Sequence, residues 1–323
     1  MARQSTHSNG TQSWNRAAMP DQSGRTAVVT GANSGLGFEA TKALAQKGTH
    51  VVMASRSLDR ARSARNEIRD TVDGAFLEVM KLDLADLSSV RSFAERFLAE
   101  QSALHVLCNN AGVMAIPRRE TADGFEIQFG VNHLGHFALT GELLDELKQT
   151  PGETRVVTQS SGVHERGDID FDDLQSETAY DKWDAYAQTK LANLMFAYEL
   201  DRRLRTANES VTSVGCHPGY AATNLQRRGP EMEGSTLRLW AMRIANALVA
   251  QSSAEGALPM LYAATAPDVD GGDYIGPGGF MGMRGAPKKQ RLSDRSYNAD
   301  RARRLWEVSE ALTDVSFDLP APE

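Results

Sequence analysis

The chain has 323 residues, of which 41% are hydrophobic and 24% charged, and this is enough for one large α/β domain with a sizeable core. Its formal net charge of −7 argues against nucleic acid as the main partner. No apolar stretch reaches the length of a membrane span and no signal peptide is recognisable, so we expect a soluble cytoplasmic protein without an integral membrane segment. Cys108 and Cys216 are not clustered, which fits a reducing compartment and buried thiols.

Strands and helices are predicted to alternate after a polar N-terminal stretch. Residues 1–22 lack periodicity and predict a flexible tail, although Trp14 and Met19 could hold part of it against the body. Residues 23–323 show no repeat and no linker, which predicts one domain. The predicted strands are 26–30, 50–55, 76–82, 104–109, 154–159, 210–216 and about 272–276. The predicted helices are 36–48, 57–71, 86–101, 122–149, 183–206 and 253–266. This order indicates a doubly wound, seven-stranded, mostly parallel sheet with helices on both faces.

The first strand leads directly into a glycine-rich turn over residues 30–37, with the pattern T-G-x-x-x-G-x-G, and then into an amphipathic helix. Strand, glycine turn and helix N-terminus form the phosphate-binding corner of Rossmann-type sheets. There, backbone N–H groups face a pyrophosphate, and a Cβ would block its approach. We therefore predict cofactor contacts from Gly31, Asn33, Ser34, Gly35, Leu36 and Gly37.

The second strand ends at Ser55 and Arg56, where a carboxylate would be expected to bind the adenosine ribose of NAD(H). A guanidinium at this place suits a 2′-phosphate, because it offers a planar donor fork and a full charge. The sequence therefore favours NADP(H) over NAD(H). The alternative is a solvated arginine that opens the next helix.

Two more strand ends offer candidate cofactor contacts. Asp83, followed by Leu84, could accept a hydrogen bond from the adenine amino group or could cap the next helix. Asn110, Ala111 and Gly112 follow the fourth strand. Small residues there allow a cofactor to approach the backbone, while the asparagine side chains could instead tie neighbouring strands together.

Candidate catalytic residues lie in the second half of the chain. The fifth strand delivers Ser161 to the sheet edge, where it could hold a substrate oxygen. Tyr186 and Lys190 are spaced i, i+4 on one helix face, so the ammonium can lie near the phenol and stabilise its anion. A phenol of pKa near 10 needs such a cation to act as an acid–base group at neutral pH. Asn132 could anchor a proton-relay water. Alone, Y-x-x-x-K is also a frequent surface pattern.

The order of these signals resembles the short-chain dehydrogenase/reductase family over about residues 24–280. The signals are the glycine turn, Asn109-Asn110-Ala111-Gly112, Asn132, Ser161, the Tyr186–Lys190 pair and His217-Pro218-Gly219. The resemblance implies that Tyr186 is the general acid/base and that Lys190 lowers its pKa and holds the nicotinamide ribose. It further implies that Ser161 orients the substrate oxygen and that Asn132 belongs to the proton relay. It places Pro218, Gly219 and Thr223 near the nicotinamide.

Within the family, residues 173–177, 190–193 and 304–309 look like the retinol dehydrogenase branch. That branch has a longer segment than most relatives between the catalytic serine and tyrosine, as here, and usually prefers NADP. The membrane anchor common among the animal retinol dehydrogenases is not expected in this protein.

Together these residues predict an NADP(H)-dependent oxidoreductase that transfers a hydride between nicotinamide and the carbonyl or alcohol carbon of an apolar aldehyde, ketone or alcohol. The apolar substrate is inferred from residues 225–250, which we expect to form a substrate lid, with ordinary core helix as the alternative. A reductase of activated carbon–carbon double bonds and a non-catalytic NADP-sensing protein are the other functions that the sequence leaves open.

Three further patterns bear on metals and partners. His133 and His136 lie at i, i+3 without further ligands of matching geometry, so we predict packing and no metal. Residues 284–304 hold eight Lys or Arg against two Asp, which predicts a solvated face or, alternatively, contact with an anionic surface or partner. An outer apolar row on the helices at 122–149 and 183–206 predicts a homodimer or homotetramer through a four-helix interface. Its members include Phe137, Leu144, Leu194 and Tyr198.

Overall fold

The centre of the protein is an eight-stranded sheet in the order β3-β2-β1-β4-β5-β6-β7-β8. The fold is taken from a computed structural model that describes residues 13–220, 251–279, 282–291 and 293–322. The strands are β1 Thr26–Thr30, β2 His50–Ser55, β3 Leu77–Lys81, β4 Val106–Asn109, β5 Thr154–Gln159, β6 Val211–Cys216, β7 Tyr274–Pro277 and β8 Pro287–Gln290. Strands β1 to β7 pair in parallel, and β8 pairs antiparallel with β7. The predicted α/β fold is confirmed.

Helices cover both faces of this sheet. They are α1 Gly35–Gln46, α2 Leu58–Arg69, α3 Leu87–Glu100, α4 Ile127–Phe129, α5 Gly135–Gln149, α6 Lys182–Thr206, α7 Ser253–Gly256, α8 Leu258–Thr265 and α9 Ala299–Thr313. Successive strand side chains alternate between faces, so Val28 joins a core with α3, α5 and α6 while Val29 joins one with α1 and α8. Burial on both faces explains why β1 is apolar at neighbouring positions. No described helix combines the length and the apolar character needed to cross a membrane.

Three elements differ from the sequence-based prediction. Strand β8 was missed because it is a short edge strand of sequence P-K-K-Q, and charged residues and proline are typical of protected sheet edges. Helix α9 was missed because its first residues are rich in arginine, so the helical spacing of its apolar residues is hard to recognise in the sequence. The helix expected from residue 122 begins at Ile127 and contains a π-helical turn, Gly130–Leu134, between α4 and α5.

The end of the N-terminal stretch contacts the body of the protein. The Trp14 ring lies edge-on to Tyr262 of α8, with the centroids 5.2 Å apart, and Met19 is buried. Arg16 forms an ion pair of 2.8 Å with Glu39 of α1. Residues 1–12 lie outside the described part of the chain.

The apolar row expected to meet a second subunit is covered within the chain. Phe137, Leu144, Leu194 and Tyr198 are 1%, 3%, 0% and 6% exposed. The Phe137 ring lies 5.2 Å from Trp306 of α9 and 4.9 Å from Phe317 beyond it. Leu194 and Tyr198 instead cluster with Tyr274 of β7. This row therefore gives no argument for the predicted homodimer or homotetramer.

Trp306 anchors α9 to the rest of the protein. Its indole is 2% exposed and lies beneath the Arg203 guanidinium, 4.5 Å from the ring centroid. We expect Trp306→Ala to lower the free energy of unfolding by about 3–5 kcal/mol, because it leaves a large cavity between α9 and α6. Chemical denaturation measures this loss. Arg303→Ala, on the exposed face of α9, should stay within about 0.5 kcal/mol of the unmodified protein. Equal effects of the two substitutions would contradict the assigned anchor.

Candidate active site

A cleft of about 810 Å³ opens at the carboxyl ends of the central strands. It lies where the sheet order reverses between β1 and β4, the usual ligand position in doubly wound sheets. Among its lining residues are those predicted from the glycine turn and the next strand ends: Gly31, Asn33, Ser34, Gly35, Leu36, Gly37, Ser55, Arg56, Asp83, Leu84, Asn110, Ala111 and Gly112. The structure thus brings these residues to one site.

Close backbone packing explains the glycines of the turn. A Cβ on Gly37 would lie 2.5 Å from the Gly31 carbonyl oxygen and 2.6 Å from Asn110 Nδ2, which leaves no room for a side chain. Gly31 and Gly35 have φ of 68° and 56°, in the left-handed region that glycine adopts without strain. The N-terminus of α1 therefore faces the cleft with its unpaired N–H groups close to β1.

The asparagines at the end of β4 attach it to the neighbouring strand β1 and to helix α5. Asn110 Nδ2 donates to the Thr30 carbonyl oxygen at 2.7 Å, and Asn109 Nδ2 donates to Thr140 Oγ1 at 2.9 Å. The backbone N–H groups of Asn110 and Ala111 both donate to Thr30 Oγ1 at 2.9 Å. The strand-tying role considered for the asparagines is therefore present for Asn110 but not for Asn109, while the backbone of Asn110, Ala111 and Gly112 still lines the cleft.

At the ends of β2 and β3 the cleft carries opposite charges. Arg56 and Arg60 line it together, both exposed, and Ser55 Oγ donates to Asn33 Oδ1 at 3.1 Å. Arg60 was not predicted, although its spacing four residues after Arg56 was a usable signal. Asp83 does not cap α3, because the N-cap is Asp86, which accepts from the Ser88 and Ser89 N–H groups.

The segment after Gly112 also contributes to the cleft and was missed. Ile116, Arg119 and Thr121 line it. They belong to no helix or strand and show no periodicity, so the sequence carried no signal for them.

Asn132 sits in the π-helical turn, which rotates it toward α6. Its Nδ2 donates to the Val113 carbonyl oxygen at 2.9 Å and to Thr189 Oγ1 at 3.0 Å, and its Oδ1 accepts from the Val113 N–H at 2.8 Å. Its carbonyl oxygen lies 3.1 Å from His136 Nδ1. The Asn132 side chain is therefore engaged in fixing the loop after β4 against α6, and the role of this residue in anchoring a proton-relay water stays a prediction. Such π turns are frequent at functional sites.

Tyr186, Ser161 and Lys190 are brought together beside the cleft. Tyr186 is 4% exposed and hydrogen-bonds Ser161, and Lys190 Nζ lies 5.6 Å from the Tyr186 ring centroid. Lys190 Nζ also donates to the Gln159 carbonyl oxygen at 3.3 Å. A Cβ on Gly112 would lie 3.8 Å from Lys190 Nζ, so the catalytic candidates adjoin the cofactor candidates.

Burial controls the pKa values of this pair. It raises the pKa of Tyr186 to about 12, with the Ser161 hydrogen bond acting in the opposite direction. It lowers the pKa of Lys190 to about 8. Enclosure therefore penalises the phenolate more than its neighbours stabilise it, and the lowering of the Tyr186 pKa by Lys190 stays a prediction.

The His217-Pro218-Gly219 loop is held by the C-terminal part of the sheet. His217 Nε2 donates to Gln290 Oε1 on β8 at 2.9 Å, and the Gly219 N–H donates to His217 Nδ1 at 3.2 Å. Burial lowers the His217 pKa to about 4, so the ring is neutral at pH 7. Gln251 Nε2 donates to the Pro218 carbonyl oxygen. The lid expected at 225–250 and Thr223 lie outside the described residues.

The paired histidines have structural partners. His136 Nε2 lies 2.9 Å from Thr30 Oγ1, and His133 Nε2 lies 2.9 Å from Ser309 Oγ on α9. Burial lowers their pKa values to about 4 and about 3, so both rings are neutral at pH 7. Within the described ranges, no group of three His, Cys, Asp or Glu is arranged to hold a metal ion.

The basic side chains of the segment at 284–304 lie on the surface, where seven of the eight are exposed and Arg301 is half-buried, and several of them pair with neighbours. Lys289 pairs with Asp270 and Asp273 at 2.8 Å, and Arg301 pairs with Asp168 at 2.7 Å. Arg304 lies over the Phe171 ring, 4.2 Å from its centroid. These contacts attach β8 and α9 to the body and reduce the charge available to an anionic partner.

The sequence profile of the short chain dehydrogenase family matches residues 25–234, most of the sheet and the site. The chain belongs to the short-chain dehydrogenase/reductase family. Human retinol dehydrogenase 12 is 41% identical to this family member over 297 residues, which are 91% of this chain and 88% of that protein. The predicted likeness to the retinol dehydrogenase branch is therefore confirmed.

Solved structures of the family share the fold. The crystal structure of an uncharacterised protein from Mycobacterium paratuberculosis is 40% identical, has a TM-score of 0.78 and covers 95% of this chain and 100% of that one. A structure from Beutenbergia cavernae, described as an NAD(P)-dependent gluconate 5-dehydrogenase with NADP bound at low occupancy, is 26% identical with a TM-score of 0.59. It covers 76% of this dehydrogenase/reductase and 91% of that chain.

Proposed function

We propose that this oxidoreductase uses NADP(H) to interconvert an apolar alcohol with its aldehyde or ketone, and that Tyr186 is its acid/base. The observation that carries the proposal is the buried Tyr186, hydrogen-bonded to Ser161 and adjacent to Lys190, at the border of the cofactor cleft. A non-catalytic NADP sensor would not need the buried Tyr186 and Lys190 beside the half-buried Ser161.

The cleft fits a dinucleotide in shape and charge. Gly37 lets α1 pack closely against the end of β1, and the N-terminus of α1 offers N–H groups to a pyrophosphate. Arg56 and Arg60 place two guanidinium groups beside Ser55, where a 2′-phosphate would distinguish NADP(H) from NAD(H). NADP in the Beutenbergia cavernae structure supports the same choice.

The protonation states suit donation of a proton to a carbonyl oxygen. The nicotinamide supplies or accepts the hydride when it is bound. Because burial raises the pKa of Tyr186 to about 12, its phenol keeps its proton at neutral pH and can give it to the substrate oxygen in the reductive direction. Ser161 would hold that oxygen through its hydroxyl, and the Lys190 ammonium would stabilise the phenolate left behind.

A similar protein and the hydroxyl groups of the site both indicate the class of substrate. Human retinol dehydrogenase 12 is named for an apolar alcohol, which supports an apolar substrate here. Ser161 and Tyr186 both present hydroxyl groups, which favours a carbonyl or alcohol oxygen between them over the carbon–carbon double bond of the second candidate function.

Removing only the Tyr186 hydroxyl tests the acid/base assignment. We expect Tyr186→Phe to lower kcat for NADPH-dependent aldehyde reduction at least ~100-fold with little change in the Kd of NADPH, because proton transfer alone is lost. Steady-state kinetics and fluorescence titration of NADPH provide the two values. Tyr297→Phe, at an exposed tyrosine, is the matched control. A Tyr186→Phe enzyme with a tenth of the original activity would rule out the assignment.

The cofactor preference is tested at Arg56. One or two charge-assisted hydrogen bonds to a 2′-phosphate are worth about 1.5–3 kcal/mol each, so Arg56→Ala should weaken NADPH at least ~10-fold more than NADH. Isothermal titration of both cofactors measures the ratio. Arg62→Ala removes an exposed arginine of α2 that pairs with Asp59, and it should leave the ratio unchanged. Equal Kd values of the unmodified protein for NADPH and NADH would contradict the preference.

A further inference from the structure

Trp183 is a large apolar side chain that stands partly in water beside the buried Tyr186. Its indole is 46% exposed, whereas Tyr186 is 4% exposed. The two rings meet edge to face, with centroids 6.4 Å apart and planes at 81°. Among the described residues, Trp183 is the only large exposed hydrophobic side chain on α6, the helix that carries Tyr186 and Lys190.

Helix geometry places three side chains in a line. Positions 183, 186 and 190 lie within one narrow face, with a rise of about 4.5 Å from the first to the second and about 6 Å to the third. The Tyr186 ring accordingly lies between the indole and the Lys190 ammonium, which is 5.6 Å from its centroid. The order along the helix face is indole, phenol, ammonium.

The two ends of this line face different parts of the site. The Lys190 end adjoins Gly112, which lines the cofactor cleft. The Trp183 end points away from that cleft along α6. A substrate whose oxygen meets the Tyr186 hydroxyl and whose remaining atoms extend along this helix face would meet the indole.

The first turn of α6 holds Trp183 in place before any substrate arrives. Asp181 caps the helix and accepts from the N–H groups of Trp183 at 2.8 Å and Asp184 at 3.0 Å. The cap fixes the backbone at Trp183 and the edge-to-face contact with Tyr186 orients the indole, which therefore offers apolar area at a small cost in conformational freedom.

Resting on the proposed function, we propose that Trp183 is a specificity-determining residue whose indole binds the apolar chain of the substrate. It selects long aliphatic carbonyl compounds and alcohols over short ones. Each methylene fully buried against the ring raises the kcat/KM by up to about fourfold, so several methylenes give a large preference for long chains.

Two aldehydes of different length test the assignment. We expect Trp183→Ala to lower the ratio of kcat/KM for decanal over butanal at least ~10-fold, through a higher KM for decanal, because the short chain does not reach the indole. Trp183→Phe keeps an aromatic face and should restore most of the ratio. Phe76→Ala removes another exposed aromatic, at the amino end of β3, and should leave the ratio unchanged. A ratio unchanged in Trp183→Ala, or equal losses for both aldehydes, would overturn the proposal.

A binding measurement separates this proposal from the catalytic one. The Kd of decanol for the NADPH-saturated protein, in which the alcohol cannot be oxidised, should rise at least ~10-fold in Trp183→Ala when it is measured by calorimetry, and it should do so equally in a Tyr186→Phe background. An unchanged Kd overturns the role of Trp183 alone. Undiminished activity of Tyr186→Phe overturns the acid/base assignment and leaves the binding result standing.

Discussion

The carboxyl edge of the sheet depends on the hydroxyl of Thr30. Its oxygen accepts from the N–H groups of Asn110 and Ala111 at 2.9 Å, which joins the ends of β1 and β4 where the sheet order reverses. The same oxygen lies 2.9 Å from His136 Nε2. Because the pKa of His136 is lowered to about 4, the ring is neutral, with Nδ1–H donating to the Asn132 carbonyl oxygen and Nε2 accepting from Thr30. One side chain thus connects the glycine turn, the loop after β4 and the π turn that positions Asn132.

The cofactor half and the catalytic half of the proposed site differ in how far they are exposed to solvent. The proposed cofactor half is an open cleft lined by the glycine turn and by exposed arginines, and these groups would suit the phosphates of NADP(H). The catalytic half is closed, and burial raises the pKa of Tyr186 while it lowers that of Lys190. Burial therefore keeps the Tyr186 phenol protonated. Any phenolate formed from it depends for its stability on the Lys190 ammonium, whose pKa is unusually low. The C-terminal elements support the site without lining the cleft. Strand β8 holds the His217 loop through Gln290, and α9 covers α5 and α6.

Much of this arrangement could be predicted because it depends on local patterns. The glycine turn, the alternation of strands and helices, and the Tyr186–Lys190 spacing each reflect a geometric requirement within a few residues. The remaining features of the fold and the site depend on tertiary contacts, which no pattern within a few residues of the sequence indicates. Strand β8 is charged because it lies at an edge, Arg119 lines the cleft from an irregular segment, and Phe137 finds its partner in Trp306, 169 positions along the sequence numbering. The pKa of Tyr186 likewise follows from how completely the fold encloses it, which residue spacing does not encode.

The central claim is that a buried, protonated Tyr186 gives its proton to the substrate while the Lys190 ammonium stabilises the resulting phenolate. Both groups are active in their protonated forms, so activity should be lost as pH rises through the lower of their pKa values, about 8 for Lys190 against about 12 for Tyr186. The most direct test is the pH dependence of kcat/KM for aldehyde reduction at saturating NADPH. The account predicts a constant value below pH ~7 and a fall with an apparent pKa near 8. A kcat/KM that stays constant to pH ~10, or that rises with pH, would contradict it.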